Sequence, residues 1–218
     1  MTWRLGALAI GLAGFSVVHS VLAATRVQRS FESRGVSPRA YRLVYSCIAV
    51  AALLALLPLM RGDFPSVWQV RGAWRWVLVG VQIGALIGLV WAARGFDILG
   101  FLGARATRSG RGARPDLAPG APASLAGPLQ TRGAYALCRH PIYLFTAVFF
   151  SAWPSMDAGR FVVAVWIWAY SWIGSIFEER RLVGELGEAY QTYRATHWRL
   201  LPIGPRRRTL RPAPPPGD

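Results

Sequence analysis

Two short charged motifs, almost forty residues apart, carry side chains that can bind a polar ligand. They are Arg139-His140-Pro141-Ile142-Tyr143 and Glu178-Glu179-Arg180-Arg181. Proline suits the first turn of a helix, where its missing N–H costs nothing. The free N–H groups of that turn, with Arg139 and His140 beside them, can bind an anion such as a carboxylate. The two glutamates can accept hydrogen bonds from hydroxyl or ammonium groups.

A ligand with a carboxylate, an ammonium group and a ribose would use both motifs, and S-adenosylmethionine has all three. Each motif alone is also typical of an ordinary membrane interface, where a His-Pro pair begins a helix or glutamates end one. Tyr143, Tyr190 and Tyr193 are by default interfacial anchors. The order and combination of these residues make the pattern more specific than any part of it.

An apolar hairpin separates the motifs and brings them to the same level. Its arms are residues 145–153 and 161–177, and residues 154–159 form the turn. The rest of the chain is similarly apolar, with 53% hydrophobic residues, 16% charged residues and a mean hydropathy of +0.31. A hydrocarbon core of about 30 Å needs roughly 20 apolar residues per helix. The sequence therefore predicts an all-α integral membrane protein with about five spans, the other three being residues 5–24, 41–60 and 76–93.

All 25 basic residues are arginines, and the formal net charge is +15. Residues 26–42, 94–139 and the chain after Glu178 hold 20 of these arginines. Positive residues concentrate in cytoplasmic loops. This asymmetry predicts five spans with the N-terminus outside and the C-terminus in the cytoplasm. Topology thus explains the charge, and we expect no nucleic-acid partner.

The segment from Glu178 to His197 predicts a helix that continues out of the membrane. Leu182, Leu186, Ala189, Tyr190 and Tyr193 form one apolar stripe, so this helix can fold back and cap the cytoplasmic site. Residues 103–127 predict a flexible loop, and residues 203–218 a disordered tail. We expect residues 1–202 to form a single bundle, with the cofactor-binding half at 132–202.

His19 is an ionisable residue inside the first predicted span, which is costly unless the bundle pairs it. A neutral imidazole hydrogen-bonded to a neighbouring helix is the favoured interpretation, and a role in binding substrate is the alternative. Cys47 and Cys138 form no disulfide or zinc pattern, and we expect no metal.

The combined motifs resemble the integral-membrane methyltransferases that include isoprenylcysteine carboxyl methyltransferase and the phospholipid N-methyltransferases. The resemblance rests on Arg139-His140-Pro141-x-Tyr143, Glu178-Glu179-x-x-Leu182, Gly187-x-x-Tyr190-x-x-Tyr193, Arg199 and Pro202. Further motifs resemble a narrower subgroup, the bacterial methanethiol S-methyltransferases and NnrU-like membrane proteins. They are His19-Ser20-x-Leu22-Ala23, Tyr41-Arg42-Leu43-x-Tyr45, Phe96-Asp97-x-x-Gly100 and Thr131-Arg132-Gly133-x-Tyr135.

This resemblance implies S-adenosylmethionine bound from the cytoplasmic side. The cofactor-binding positions it implies are Arg139, His140, Pro141, Tyr143, Glu178, Glu179, Tyr190 and Arg199. His140, or Glu178 through water, is the candidate to remove a proton from the acceptor. Phe145 stands where the family usually has glycine. We expect its ring to face inward beside the acceptor and to select a small one, while His19 is the second candidate substrate contact.

The implied reaction is methyl transfer to a small hydrophobic thiol at the cytoplasmic face, with the acceptor supplied through the membrane. A lipid amine or an isoprenyl-type carboxylate is an alternative acceptor. A different class of function, a non-catalytic membrane scaffold, also stays open because Phe145 can block the pocket. In every case the expected partners are membrane lipids or a lipid-like acceptor, and the expected location is a bacterial inner membrane.

The arginine distribution gives a test of topology. A cysteine introduced as Gly110→Cys or Gly204→Cys should react with an impermeant thiol reagent only from the cytoplasmic side, because both positions lie in arginine-rich segments. Labelling of intact cells and inverted vesicles measures this. A cysteine at position 110 that reacts only from outside would overturn both the topology and a cytosolic ligand site.

Overall fold

A computed structural model describes residues 2–60, 62–94 and 129–203. The predicted loop at 103–127, the motif at residues 96–100, and all of the predicted tail except residue 203 lie outside the described residues. Within these described ranges the chain forms eight helices and two strands. The helices are α1 (Thr2–Ala23), α2 (Thr25–Glu32), α3 (Pro38–Met60), α4 (Ala73–Ala93), a 3-10 helix (Gly133–Ala136), α5 (Pro141–Ser151), α6 (Ala158–Leu186) and α7 (Glu188–Thr196). The strands are β1 (Ser66–Gln69) and β2 (Ser155–Asp157).

Helices α1, α3, α4 and α6 are long and apolar enough to cross a membrane. They confirm the predicted all-α integral membrane class. The remaining predicted span, residues 145–153, falls in a shorter helix. Helix α5 has only 11 residues and is about 16 Å long at 1.5 Å per residue. The chain leaves this helix at Ala152 and enters β2 three residues later. Five crossings and the orientation of the bundle stay predictions.

The two strands form an antiparallel pair where the sequence predicted only connections and a turn. The segment before α4 and the segment before α6 run side by side at one end of the bundle. Their pairing satisfies backbone groups that the short α5 leaves outside a helix. Trp68 reinforces the contact by donating its indole N–H to the Trp153 carbonyl at 3.1 Å.

The two ends of the bundle carry different structural elements. Arg4 in the first turn of α1 lies beside Gly62, at the end that carries the strand pair. Both charged motifs lie at the opposite end, where α5 begins and α6 passes Glu178. This arrangement agrees with the relative placement of loops that the arginine count predicts.

Apolar residues of α1, α5 and α6 form the core between the two ends. Leu8, Leu12, Ala147, Val163 and Ile167 are all buried and pack together. Polar side chains in this region are paired: Trp166 donates to the Ser16 hydroxyl at 2.8 Å, and Trp168 donates to the Ser151 hydroxyl at 2.9 Å. Packing on α1 thereby holds α5 and α6 in a fixed register.

The prediction of one continuous helix from Glu178 to His197 is wrong at Gly187. This residue has φ +55° and separates α6 from α7. Glycine adopts positive φ without the steric cost that a Cβ imposes. The resulting bend lets α7 pack Tyr190 and Tyr193 against Leu182 of α6, so α7 takes the position expected of a capping helix.

Tyr41 and Tyr45 connect the first half of α3 to α1. Both are buried against α1, at 6% exposure each. The Tyr41 hydroxyl donates to the Leu22 carbonyl at 2.8 Å, and the Tyr45 hydroxyl contacts His19 Nε2 at 2.8 Å. Their spacing of four residues places them on one face of α3, and that face packs against α1.

Phe145 packs on Gly88 of α4. A Cβ atom added at Gly88 would lie 2.5 Å from Phe145 Cε1. Ala85, Gly88 and Ala92 are the buried residues of α4, and such small residues allow close helix approach in membranes. The Phe145 ring therefore occupies the space beside the small buried residues of α4.

This contact predicts that Gly88→Ala destabilises the protein by about 1–3 kcal/mol, the usual cost of overpacking. Gly84→Ala is the matched control, because a Cβ there meets nothing within 4 Å, and it should be neutral or slightly stabilising. Unfolding in detergent or bicelles measures both. Adding Phe145→Ala should remove most of the Gly88→Ala penalty, and a penalty that persists unchanged would contradict the contact.

Candidate active site

The carboxylate of Glu179 lies at the centre of the charged end of the bundle. Glu179 is 2% exposed. Arg139 approaches Oε1 through Nε at 2.8 Å and Nη2 at 2.7 Å, and His140 Nε2 lies 3.3 Å from the same oxygen. Arg199 and Arg194 approach Oε2 at 3.3 and 3.6 Å. Buried ions are tolerated when charge and hydrogen bonds are satisfied in this way.

Arg139 also attaches the end of the described chain to the bundle. Its Nη1 donates to the carbonyls of Arg194 and His197. The Arg139 and His140 backbone N–H groups donate to the Trp198 and Arg199 carbonyls at 2.8 and 3.1 Å. These two N–H groups and the Arg139 side chain are thus used by the protein itself. At this end of α5, the N–H groups of Ile142 and Tyr143 are the donors with no acceptor in the described part of the chain.

Glu178 has a different environment from its neighbour. Tyr143 donates its hydroxyl to Glu178 Oε2 at 2.8 Å, and His140 Nδ1 lies 3.6 Å from the same atom. The Glu178 side chain is 11% exposed, against 3% for Glu179. Adjacent residues point about 100° apart around a helix, so one carboxylate enters the arginine cluster and the other faces α5. Glu178 is therefore the more exposed of the two glutamates.

His140 lies between the two carboxylates. Its two ring nitrogens face Glu178 and Glu179, and its ring stacks on Tyr143 with centroids 5.4 Å apart and planes 5° apart. The stack and the two carboxylates fix the orientation of the imidazole. Because its two ring nitrogens face the two carboxylates, His140 is well placed to position Glu178.

Tyr190 is a buried polar residue beside this cluster. It is 1% exposed, packs with Leu182 one turn after Glu179, and its hydroxyl has no hydrogen-bond partner within the described ranges. Burial raises the pKa of Tyr190, so the hydroxyl keeps its proton. An unsatisfied buried hydroxyl costs about 1–3 kcal/mol, which a hydrogen bond from a ligand would recover.

Cys138, next to the first motif, is fully buried. Burial raises the pKa of its thiol to about 11, and this outweighs the opposing effects of the His140 backbone N–H and the Arg139 charge. Only a thiolate is a good nucleophile. Cys138 is therefore unsuited to carry a methyl group as a covalent intermediate.

The structure brings most of the predicted site residues to one end of the bundle, and it separates two from them. The first group consists of Arg139, His140, Pro141, Tyr143, Glu178, Glu179, Tyr190 and Arg199. His19 is hydrogen-bonded to Tyr45 in the region between α1 and α3, as the favoured interpretation of this residue predicts. Phe145 faces α4 and not lipid, and its part in acceptor selection stays a prediction.

Arg194 belongs to the cluster but was not among the predicted residues. It reaches Glu179 from α7, and its backbone carbonyl accepts from Arg139. A signal was present in the sequence, because Arg194 directly follows Tyr193 in the apolar stripe that has to pack on α6. Its contact with Glu179 depends on the bend at Gly187, which the pattern did not indicate.

Comparison with known proteins gives several bacterial relatives. The chain is 32% identical over 204 residues to methanethiol S-methyltransferase 2 of Bradyrhizobium diazoefficiens, covering 89% of this chain and 72% of the relative. It is 32% identical over 192 residues to the methanethiol S-methyltransferase of Mycobacterium tuberculosis, covering 86% and 74%. The chain belongs to the methanethiol S-methyltransferase family. No protein-family model and no solved structure matches it.

A third relative, the methanethiol S-methyltransferase of Pseudomonas deceptionensis, is 30% identical over 195 residues, covering 86% of this chain and 69% of the relative. Membership of the family confirms the resemblance to membrane methyltransferases that the motifs indicated. It also identifies the chain as a methyltransferase, and the charged cluster is its candidate active site.

The different surroundings of the two glutamates predict different mutant behaviour. Glu179→Gln should lower the free energy of unfolding by about 3–5 kcal/mol, because it leaves the largely buried guanidinium of Arg139 without its counterion. Glu178→Gln is the matched control and should cost less than about 1 kcal/mol, since an amide can still accept from Tyr143. Denaturant unfolding in mixed micelles measures both, and equal destabilisation would contradict this division of roles.

Proposed function

We propose that this chain transfers the methyl group of S-adenosylmethionine to a small hydrophobic thiol at the cytoplasmic face of a bacterial inner membrane. The similarity to methanethiol S-methyltransferases over 86–89% of the chain carries this proposal. The charged cluster supports it, because the clustered residues belong to the motifs by which the chain resembles membrane methyltransferases.

The cluster fits the donor chemically in two respects. Glu178 is a partly accessible carboxylate that can accept from the donor's ammonium group or ribose hydroxyls. Tyr190 has a buried hydroxyl that lacks a partner, and it can bond to a polar group of the donor. The N–H groups of Ile142 and Tyr143, at the start of α5, suit an anion such as the donor carboxylate. When bound, the donor supplies an electrophilic methyl group on a sulfonium.

In this proposal the protein residues have separate tasks. Glu178, Tyr143 and Tyr190 contact the donor. Glu179 and Arg139 act indirectly by attaching the segment around Arg199 to the start of α5. His140 orients Glu178, so its role is positioning. The resemblance implied that Arg139, Glu179 and Arg199 contact the donor. In our proposal these three residues have a supporting role instead.

A membrane location suits this reaction. A sulfonium and a thiolate lose charge as they approach the transition state, so a site that excludes water favours the transfer. Small thiols partition into lipid and can reach the bundle laterally, while the polar donor comes from the cytoplasm. Of the two predicted proton acceptors, this proposal keeps Glu178, acting through water, because its carboxylate is partly exposed whereas His140 is buried between two carboxylates.

The proposal predicts that Glu178→Gln and His140→Ala each weaken binding of S-adenosylhomocysteine by about 1–3 kcal/mol, or roughly 5- to 150-fold in Kd. Glu178→Gln removes a charge-assisted hydrogen bond to the ligand, and His140→Ala removes the side chain that orients Glu178. Isothermal titration of the purified proteins measures this. Gly84→Ala is the control, because a Cβ there meets nothing and its affinity should equal that of the parent.

Product analysis with labelled donor and a panel of acceptors completes the test. Methylation of methanethiol is the expected result. A lipid amine or isoprenyl-type carboxylate as the preferred acceptor would replace the thiol in this proposal. Absence of S-adenosylhomocysteine binding to a folded parent protein would favour a non-catalytic scaffold and overturn it.

A further inference from the structure

The short helix α2 connects the ends of two apolar spans. It lies between α1, which ends at Ala23, and α3, which begins at Pro38. Both of these helices are long and apolar enough to cross a membrane. A short connection between the ends of two spans lies at the membrane surface, so α2 is placed where the hydrocarbon meets the lipid headgroups.

The side chains of α2 point in three directions. Gln28 is 3% exposed, so its side of the helix packs on the bundle. Val27 and Phe31, four residues apart, form an apolar side, and Phe31 is 39% exposed. Arg26 and Arg29 are exposed on the remaining side. An apolar side next to a basic side is the pattern of a helix that lies in the membrane interface.

The basic side of α2 carries positive charge that the protein does not neutralise. Arg26 and Arg29 are three residues apart and therefore neighbours on the helix. Arg34 adds a third guanidinium, because its Nη1 donates to the Ser30 hydroxyl at 2.9 Å and to the Ser30 carbonyl at 3.3 Å. In the described part of the chain no carboxylate pairs with these three arginines. Glu32, the only acid between α1 and α3, accepts a hydrogen bond from an amide on the buried side instead.

Exposed apolar side chains occupy the adjoining turns of the two spans. Val21 in the last turn of α1 is 52% exposed, and Val44 near the start of α3 is 57% exposed. A free anion would use only the arginines of this surface. A phospholipid would use both parts, since its phosphate can bind guanidinium groups and its acyl chains can pack on the valines and Phe31. The combination favours a lipid as the occupant.

We propose that α2 and the turn after it bind the headgroup phosphate of an anionic phospholipid through Arg26, Arg29 and Arg34. The bound phosphate offsets the repulsion among the three guanidinium groups, and the acyl chains cover the apolar side of α2. None of the three arginines belongs to the proposed donor site, so this inference does not rest on the proposed function.

The first experiment measures lipid binding directly. Native mass spectrometry of the purified protein, titrated with phosphatidylglycerol in a non-ionic detergent, gives the Kd of the tightest-bound lipid. Arg26→Gln/Arg29→Gln should raise this Kd about tenfold, because each arginine near an anionic headgroup strengthens binding.

Arg71→Gln/Arg75→Gln is the matched control. It removes two exposed arginines at the start of α4, which is the opposite end of the bundle, and it should change the Kd less than about twofold. Equal losses in the two double variants would show that binding follows the net charge of the protein and would overturn the site.

A second pair of substitutions separates charge from structure. Arg26→Lys/Arg29→Lys keeps both positive charges, and lysine also binds phosphate, so its Kd for phosphatidylglycerol should stay within about threefold of the parent value. A loss as large as that of the glutamine variant would show that the two arginines act in the fold and would overturn their role in binding an anion.

A third experiment distinguishes a lipid from a free anion. Phosphatidylglycerol should raise the unfolding temperature of the parent protein in detergent, because a ligand that binds the folded state stabilises it. Phosphatidylcholine and glycerol 3-phosphate, at the same phosphate concentration, should raise it less than half as much. An equal shift with glycerol 3-phosphate would overturn the lipid as the occupant, and an equal shift with phosphatidylcholine would overturn the requirement for a net negative headgroup.

Discussion

The charged end of this bundle depends on the burial of one carboxylate, that of Glu179. An isolated ion at this position would cost several kcal/mol, and cations from three parts of the chain offset that cost. The cations are Arg139 before the start of α5, Arg194 in α7, and Arg199 in the segment after it. Because each cation is needed by the same carboxylate, the three segments are held together at a site that none of them could form alone.

This arrangement also explains why adjacent glutamates have unequal chemistry. Helical geometry sends Glu179 into the arginine cluster and Glu178 towards Tyr143, where it stays partly accessible. Glu179 and the arginines around it neutralise one another, so these groups have little charge left with which to bind a ligand. In the proposed enzyme, donor recognition then rests on a few groups that the cluster orients: Glu178, Tyr190 and the start of α5.

Phe145 differs from the glycine that the resemblance implies at this position, and a contact within the bundle accommodates its ring. The resemblance to the membrane methyltransferases implied glycine at this position, and from this we expected the ring to lie beside the acceptor or to block the pocket. In the structure the ring lies against Gly88 of α4, so the missing side chain on one helix compensates for the added one on the other. Position 145 and position 88 are 57 residues apart in sequence, and no pattern within either helix reveals that they meet.

The sequence by itself determined the apolar helices, the relative ends of the bundle and the residues of the charged cluster other than Arg194, because these follow from local composition, helical period and motif spacing. The tertiary structure decided which residues meet. It paired Tyr45 with His19, placed Arg194 on Glu179 through the bend at Gly187, and joined β1 to β2. The length of α5 was also decided there, since an apolar run can continue as helix or as extended chain. The physical reason is that these features depend on partners distant in sequence, whose contacts balance burial against hydrogen bonding only in the folded bundle.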